Sequence, residues 1–250
     1  MLGGGVALEC QGLSKSFGGF YAVRDVTLSI AEGTIHALIG PNGAGKTTCF
    51  NLLTKFLQPT EGRIRLGDTD ITRAKPAEIA NLGMIRSFQI SSIFPHLTLL
   101  ENVRVGLQAR TDLCFSFWRS ERCLADLEGQ AMALLEEVDL ADKAQDEART
   151  LSYGRKRALE LATTLARDPK VMLLDEPMAG MGREDIDRVA KLIKRVSAGR
   201  TVLMVEHNLN VVAEYSDRIT VLARGEVLAE GTYSEISADP AVRTAYMGAH

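Results

Sequence analysis

One segment restricts this chain more than any other: Gly40-Pro41-Asn42-Gly43-Ala44-Gly45-Lys46-Thr47 fits the pattern G-x-x-x-x-G-K-[ST]. Before it, Thr34–Ile39 is a short apolar run that reads as a buried strand. After it, across Thr48–Leu57, Phe50, Leu52, Leu53 and Phe56 recur at helical spacing. Strand, glycine-rich loop and helix in that order make a phosphate cradle. The glycines allow positive φ and a close backbone approach, so successive N–H groups converge on one anion. Lys46 supplies charge for the β- and γ-phosphates, Thr47 offers a hydroxyl to Mg²⁺, and the helix entered at Thr48 aims its positive end at the same point. Gly40–Thr48 is therefore read as a nucleotide-binding site.

At 250 residues the chain has room for one large α/β domain, or for a core with a smaller lobe. A net charge of −3 lacks the basic footprint of a nucleic-acid binder. The apolar runs fall well short of the roughly 20 residues that span a bilayer, and Met1-Leu2-Gly3-Gly4-Gly5 lacks the regions of a signal peptide. A cytosolic chain is expected, reaching any membrane through a partner. Cys10, Cys49, Cys114 and Cys123 form no C-x-x-C pair and read as isolated thiols. Cys49 adjoins the loop, so its alkylation is expected to perturb nucleotide binding.

The first part reads as strands: Val6–Leu13, Ala22–Ile30, Thr34–Ile39 and Arg63–Leu66. Ile90 to Arg167 reads as mostly helical, with Leu127, Ala131, Leu134, Leu135 and Val138 on one helical face. Val171–Leu174 and Thr201–Val205 have the continuous apolar character of parallel strands covered on both sides, with Arg183–Ser197 as the helix between them. Arg218–Ala223 and Val227–Ala229 suggest a hairpin, and two short helices end the chain. The sum is an α/β core interrupted by a helical lobe.

Val171-Met172-Leu173-Leu174 runs into Asp175-Glu176, which places two carboxylates at the C-terminal edge of a sheet, where open α/β folds bind ligands. Asp175 is read as a Mg²⁺ holder and Glu176 as acceptor of a hydrogen bond or proton from an attacking water. The order of these motifs resembles the ATPase subunits of ABC transporters. Leu151-Ser152-Tyr153-Gly154-Arg155, shortly before Asp175, resembles that family's L-S-G-G-Q signature; Ser152 suits a helix cap and Gly154 an open first turn.

The resemblance implies an α/β fold with a P-loop NTPase (RecA-like) core, an antiparallel β subdomain and an inserted α-helical subdomain. Residues 1–89 and 168–250 would form the core, and 90–167 the helical subdomain bearing the signature. It further implies ATP and Mg²⁺ as cofactors, with Ser152, Tyr153 and Gly154 facing the γ-phosphate held by a second subunit. Gln89 would touch Mg²⁺ and link the lobes, and His207 would contact γ-phosphate and orient water. Phe17 would stack on adenine, with Phe20 or Tyr21 as substitutes if the register differs.

The likeness extends over the whole chain and looks nearest to the ATPases of branched-chain amino-acid importers. It rests there on Phe88-Gln89, Ile93–Thr98, Glu101-Asn102-Val103, Asp175–Met181, Val205–Asn208 and the ending Ala245-Tyr246-Met247-Gly248. Lipopolysaccharide-export ATPases look similar in the same regions, and a soluble assembly ATPase is a further reading. An importer implies a second ATPase subunit, two transmembrane permease subunits, an extracytoplasmic solute-binding protein, no nucleic acid, and a position on the cytoplasmic face of the inner membrane. Ile90–Thr98 is read either as a groove for a permease helix or as packing between lobes. Phe115, Phe117 and Trp118 are read as a membrane-proximal cluster or a local core. Three positions depart from the family pattern: Tyr153 replaces a glycine, Arg155 a glutamine, and Gly182 an aspartate that serves communication across the dimer.

Overall fold

The structure is a computed structural model that describes residues 5–87, 93–109 and 121–247. Gln89, with Phe88 and Ile90, Cys114, the aromatic residues Phe115, Phe117 and Trp118, and Gly248 lie outside the described residues.

β1 (Val6–Phe17) and β2 (Phe20–Ala31) form a long antiparallel hairpin that turns at Gly18-Gly19, both at positive φ. The chain then runs through β3 (Ile35–Ile39) and α1 (Lys46–Leu53), and returns in β4 (Glu61–Leu66) and β5 (Thr69–Asp70). The first sheet has the order β2-β1-β4-β5, with antiparallel pairing throughout. After α2 (Pro76–Asn81) come β6 (Met84–Ser87), α3 (Leu99–Gln108), α4 (Glu121–Glu137) and α5 (Tyr153–Leu165). β7 (Val171–Asp175), α6 (Arg183–Val196), β8 (Thr201–Val205), α7 (Leu209–Tyr215), β9 (Arg218–Ala223) and β10 (Glu226–Gly231) follow, and α8 (Tyr233–Ala238) and α9 (Pro240–Met247) end the chain. The second sheet runs β10-β9-β3-β8-β7-β6, with β9, β3, β8 and β7 parallel and β10 antiparallel to β9.

The described chain divides into two compact units. One holds the chain up to Met84, Lys170–Glu176 and the chain from Ser197 onward; the other holds the described parts of Ile85–Pro169 and Pro177–Val196. In the first, α1 packs between the sheets, and Phe50, Leu52 and Leu53 join Leu8, Leu13, Val26, Leu38, Ile64, Leu173 and Leu203 in one buried core. β3 and β8 are buried at every position, as continuous apolar runs predict for central parallel strands. α1 ends sooner than its apolar spacing suggests. Thr54 Oγ1 donates back to the Phe50 carbonyl at 2.8 Å, and Lys55 takes a left-handed φ of 62°. Phe56 therefore leaves the buried face and is 50% exposed.

In the second unit, α3 opens with a capping box: Glu101 N–H donates to Thr98 Oγ1 (3.2 Å) and Thr98 N–H to Glu101 Oε2 (2.8 Å). α4 packs against α3 and α5, and buries Leu127, Ala131 and Leu135, with Val138 buried directly after its end, while Leu134 is only half-buried at the edge of that face. α6 lies against α5 through a face that includes Val189, Leu192, Ile193 and Val196, so the helix between β7 and β8 belongs to the helical unit.

His36 on β3 is the buried polar group of the main sheet whose titration bears on stability. Its Nε2 shares a 2.8 Å hydrogen bond with Thr220 Oγ1 on β9. Burial drives its pKa from 6.5 down to about 4, against the pull of Glu230 and with that of Arg218. The folded-state pKa is depressed, so the neutral imidazole's contribution is complete above 6.5 and is lost as pH falls towards 4. Urea titrations across this window are expected to show wild type losing about 3 kcal/mol more stability than His36→Gln. Parallel pH profiles for the two proteins would assign the titration to other groups.

Candidate functional site

The glycine-rich loop leaves the C-terminal end of β3 at Gly40, and two of its glycines are forced by their neighbours. A Cβ on Gly40 would stand 2.2 Å from the Leu222 carbonyl oxygen, and one on Gly45 would stand 2.5 Å from that of Ala22. Gly43 meets nothing within 4 Å; its φ of 77° alone favours glycine. Ala44 is buried, and its carbonyl accepts from Gly225 N–H at 3.0 Å, so the β9–β10 turn clamps the loop from behind. Pro41, Asn42 and Thr47 remain on the accessible side, with Thr48 partly covered.

Lys46 folds back over the loop and donates to the Gly40 carbonyl (2.6 Å) and the Pro41 carbonyl (2.9 Å). Burial lowers its ammonium pKa while the Glu176 carboxylate works in the opposite sense, so the two side chains share one field. Cys49, one turn further along, is completely buried, and burial pushes its thiol well above the ordinary range. The expected route from alkylation to nucleotide binding is closed in the folded chain, because no reagent reaches this sulfur and its thiolate is suppressed.

Strand order brings the remaining groups of this unit together. β8 lies between β3 and β7, and all three run parallel, so the loop after Ile39, the carboxylates after Leu174 and the segment after Val205 leave the same edge. Asp175 ends β7 in register with Val205, and Glu176 N–H donates to the Val205 carbonyl at 2.9 Å. Glu176 has a φ of 44°, a left-handed conformation that costs a non-glycine residue energy and is concentrated at functional sites. His207 is exposed on the loop after β8.

Glu206 is the residue that the motif reading passed over. It is fully buried, and its Oε2 accepts from His207 N–H (2.9 Å) and Asn208 N–H (3.0 Å), fixing the backbone that carries the imidazole. Asn208 Oδ1 then caps α7 by accepting from Asn210 and Val211. An acid directly before His207 was visible in the sequence; its burial was not.

Phe17 lies at the end of β1, 48% exposed, with the Lys15 ammonium 5.3 Å from its ring centre. Phe20, its cross-strand partner, is 72% exposed, while the Tyr21 ring faces the Arg24 guanidinium at 4.8 Å. Two open aromatic faces therefore stand at this hairpin tip. Gln89, assigned above to Mg²⁺, lies outside the described residues.

The signature segment belongs to the second unit. Ser152 occupies the N-cap of α5 in extended conformation, but its side chain makes no capping bond. The first turn is closed instead by backbone geometry, with Lys156 N–H donating to the Ser152 carbonyl at 2.9 Å. Gly154 has no room for a side chain: a Cβ there would stand 2.6 Å from Asp185 Oδ1. The Tyr153 hydroxyl is 3.9 Å from a Cβ built on Gly180. Further along α5, Arg157 and Glu160 form a buried ion pair at 2.5 Å; burial raises the Glu160 pKa and Arg157 opposes it.

No described helix is long and apolar enough to cross a membrane. Residues 23–179 match the family described as ABC transporter, and residues 226–250 match the one described as branched-chain amino acid ATP-binding cassette transporter. The chain is 39% identical to the high-affinity branched-chain amino acid transport ATP-binding protein BraF of Pseudomonas aeruginosa, covering 96% of this chain and 97% of that one. It is 37% identical to LivG of Escherichia coli K12, a protein of the same description, with the same coverage. Among solved structures, the ADP conformation of MJ1267, an ATP-binding cassette of an ABC transporter, aligns with a TM-score of 0.85 at 31% identity, covering 97% of this chain and 99% of that one. The dimeric post-hydrolysis state of the cassette MJ0796, bound to ADP and Pi, aligns at 0.75 with 26% identity, covering 90% and 98%. A phosphate loop, paired carboxylates and a histidine on one sheet edge, within a chain alike from end to end to these cassettes, place this protein in the ABC transporter family as an ATP-binding ATPase subunit.

Proposed function

We propose that the chain powers uptake of branched-chain amino acids or related polar solutes, as one of two ATPase subunits beneath two permease subunits supplied by an extracytoplasmic solute-binding protein. The observation that carries this reading is the common sheet edge, where β3, β7 and β8 deliver Lys46, Asp175 with Glu176, and His207. The names of the relatives support the cargo, and the dimer formed by MJ0796 supports the pairing. The place of action is the cytoplasmic face of the membrane, reached through the permeases.

In this reading the amides of Gly40–Thr48 hold the phosphates, and Lys46 exchanges the Gly40 and Pro41 carbonyls for β- and γ-phosphate oxygens. Thr47 and Asp175 are hard oxygen donors that suit Mg²⁺, with Gln89 assigned to the same ion, which would offset phosphate charge when bound. Phe17 stacks on adenine. Glu176 accepts the proton of the water that attacks the γ-phosphorus, while the bond to the β–γ bridging oxygen breaks and leaves ADP and phosphate. His207, fixed through Glu206, orients that water. Ser152, Tyr153 and Gly154 face the nucleotide of the partner subunit, the Ser152 hydroxyl being unused by its own helix. Arg155, exposed beside them, adds a cation where the family pattern has a neutral side chain.

Contact with a permease is assigned to the loop before α3. Phe94 is 51% exposed there on a braced backbone: buried Asn102 accepts from Phe94 N–H (2.8 Å) and donates to the carbonyls of Phe94 (3.1 Å) and Thr98 (2.9 Å). An exposed aromatic on a fixed loop suits the apolar face of a docking helix.

Glu176→Gln is expected to lower ATP turnover at least about 100-fold, to keep ATP affinity, and to accumulate an ATP-dependent dimer in size-exclusion chromatography. Turnover at the native rate would remove Glu176 from the role of base. Phe94→Asp is expected to abolish co-purification with the permeases while fluorescent-nucleotide binding stays unchanged. Full assembly of that variant would exclude the loop from the contact.

A further inference from the structure

A carboxylate from α6 stands against the start of α5. A Cβ built on Gly154 would lie 2.6 Å from Asp185 Oδ1, 2.8 Å from its Cγ and 3.2 Å from its Cβ, so the acidic side chain lies along the glycine from stem to tip. Gly154 is buried and Asp185 half-buried at this contact. Asp185 sits with Glu184 in the first turn of α6, so the positive ends of two helices meet at its carboxylate, a favoured place for an anion. Among the described residues the carboxylate nevertheless accepts no hydrogen bond and forms no ion pair. The N–H groups of Tyr153, Gly154 and Arg155 have no acceptor within their own helix, and the Ser152 side chain leaves them uncapped. The first turn of α5 thus keeps its amides and the Ser152 hydroxyl for a ligand while a negative charge rests in contact with it. Arg155, exposed on the same turn, carries the opposite charge.

We propose that Asp185 is a brake on closure of the ATP-bound pair: its carboxylate, held against Gly154, opposes the γ-phosphate that the first turn of α5 is assigned to receive from the partner subunit, and Arg155 works against it. This role rests on the pairing and the signature contact proposed above, and it adds a determinant of how much ATP the pair needs to close. Like charges at a partly exposed site repel modestly, so the effect is graded and falls as salt screens it. Asp185 touches no reacting atom. It acts through the charge at the helix start, and Gly154 is the residue that lets it come so near.

Asp185→Asn tests it, since the shape of the side chain stays and only the charge goes. In the full chain carrying Glu176→Gln, dimer formation is followed by light scattering as ATP is raised. The ATP concentration at half-maximal dimer is expected to fall about threefold to tenfold with Asp185→Asn, and to rise by a similar factor with Arg155→Gln. Raising NaCl from about 50 mM to about 500 mM is expected to shrink both shifts. Loss of a packing contact alone would move the half-point upward, so the sign separates charge from structure. An unchanged or higher half-point with Asp185→Asn overturns the proposal, as does a fall that persists undiminished at high salt. If Glu176→Gln alone forms no dimer with ATP, the pairing reading fails and takes the brake with it. If that dimer forms and Asp185→Asn leaves its half-point in place, only the brake fails.

Discussion

Two backbone contacts govern the first unit: Gly40 against the Leu222 carbonyl, and Gly45 against that of Ala22. Each leaves no space for a methyl group, so the loop is wedged between the end of β9 and the start of β2. The wedge fixes where the loop's amides converge and where α1 begins. It also lets Gly225 on the β9–β10 turn donate to Ala44 while its own carbonyl accepts from Arg24 at 2.8 Å, tying both sheets to one loop. Anion binding by backbone amides needs such fixed geometry, because a loop that must be ordered on binding spends its interaction energy on that ordering.

The chemistry is then a matter of strand order. Lys46, Asp175, Glu176 and His207 are far apart in sequence, yet three adjacent parallel strands end at one edge and bring them there. The backbone shows where this arrangement is held against local preference. Glu176 adopts a left-handed conformation while donating to Val205, and buried Glu206 clamps two amides of the histidine loop. Both devices hold the position of a side chain to which the proposed mechanism assigns the attacking water.

Much of this was legible in the sequence, because the informative signals are local. The glycine pattern with Lys46, and the apolar run into Asp175-Glu176, each carry their structural setting within about a dozen residues. Long-range geometry was not legible. The end of α1 depends on Thr54 turning back on Phe50, which no apolar spacing reports, and so Phe56 was placed on the wrong face. Ser152 has the identity and position of a cap without making its bond. Glu206 becomes buried only once β8 is in place within the sheet, which its position before His207 does not report. The reactivity of Cys49 was judged by proximity in sequence, whereas its burial follows from the side of α1 on which it falls.

Calorimetric titration of ATP into wild type and Gly40→Ala measures most directly whether the wedged loop is what creates the nucleotide site. The added methyl group must displace the loop from the Leu222 carbonyl, so affinity is expected to fall about tenfold or more. Wild-type affinity in Gly40→Ala would contradict the dependence of binding on that contact.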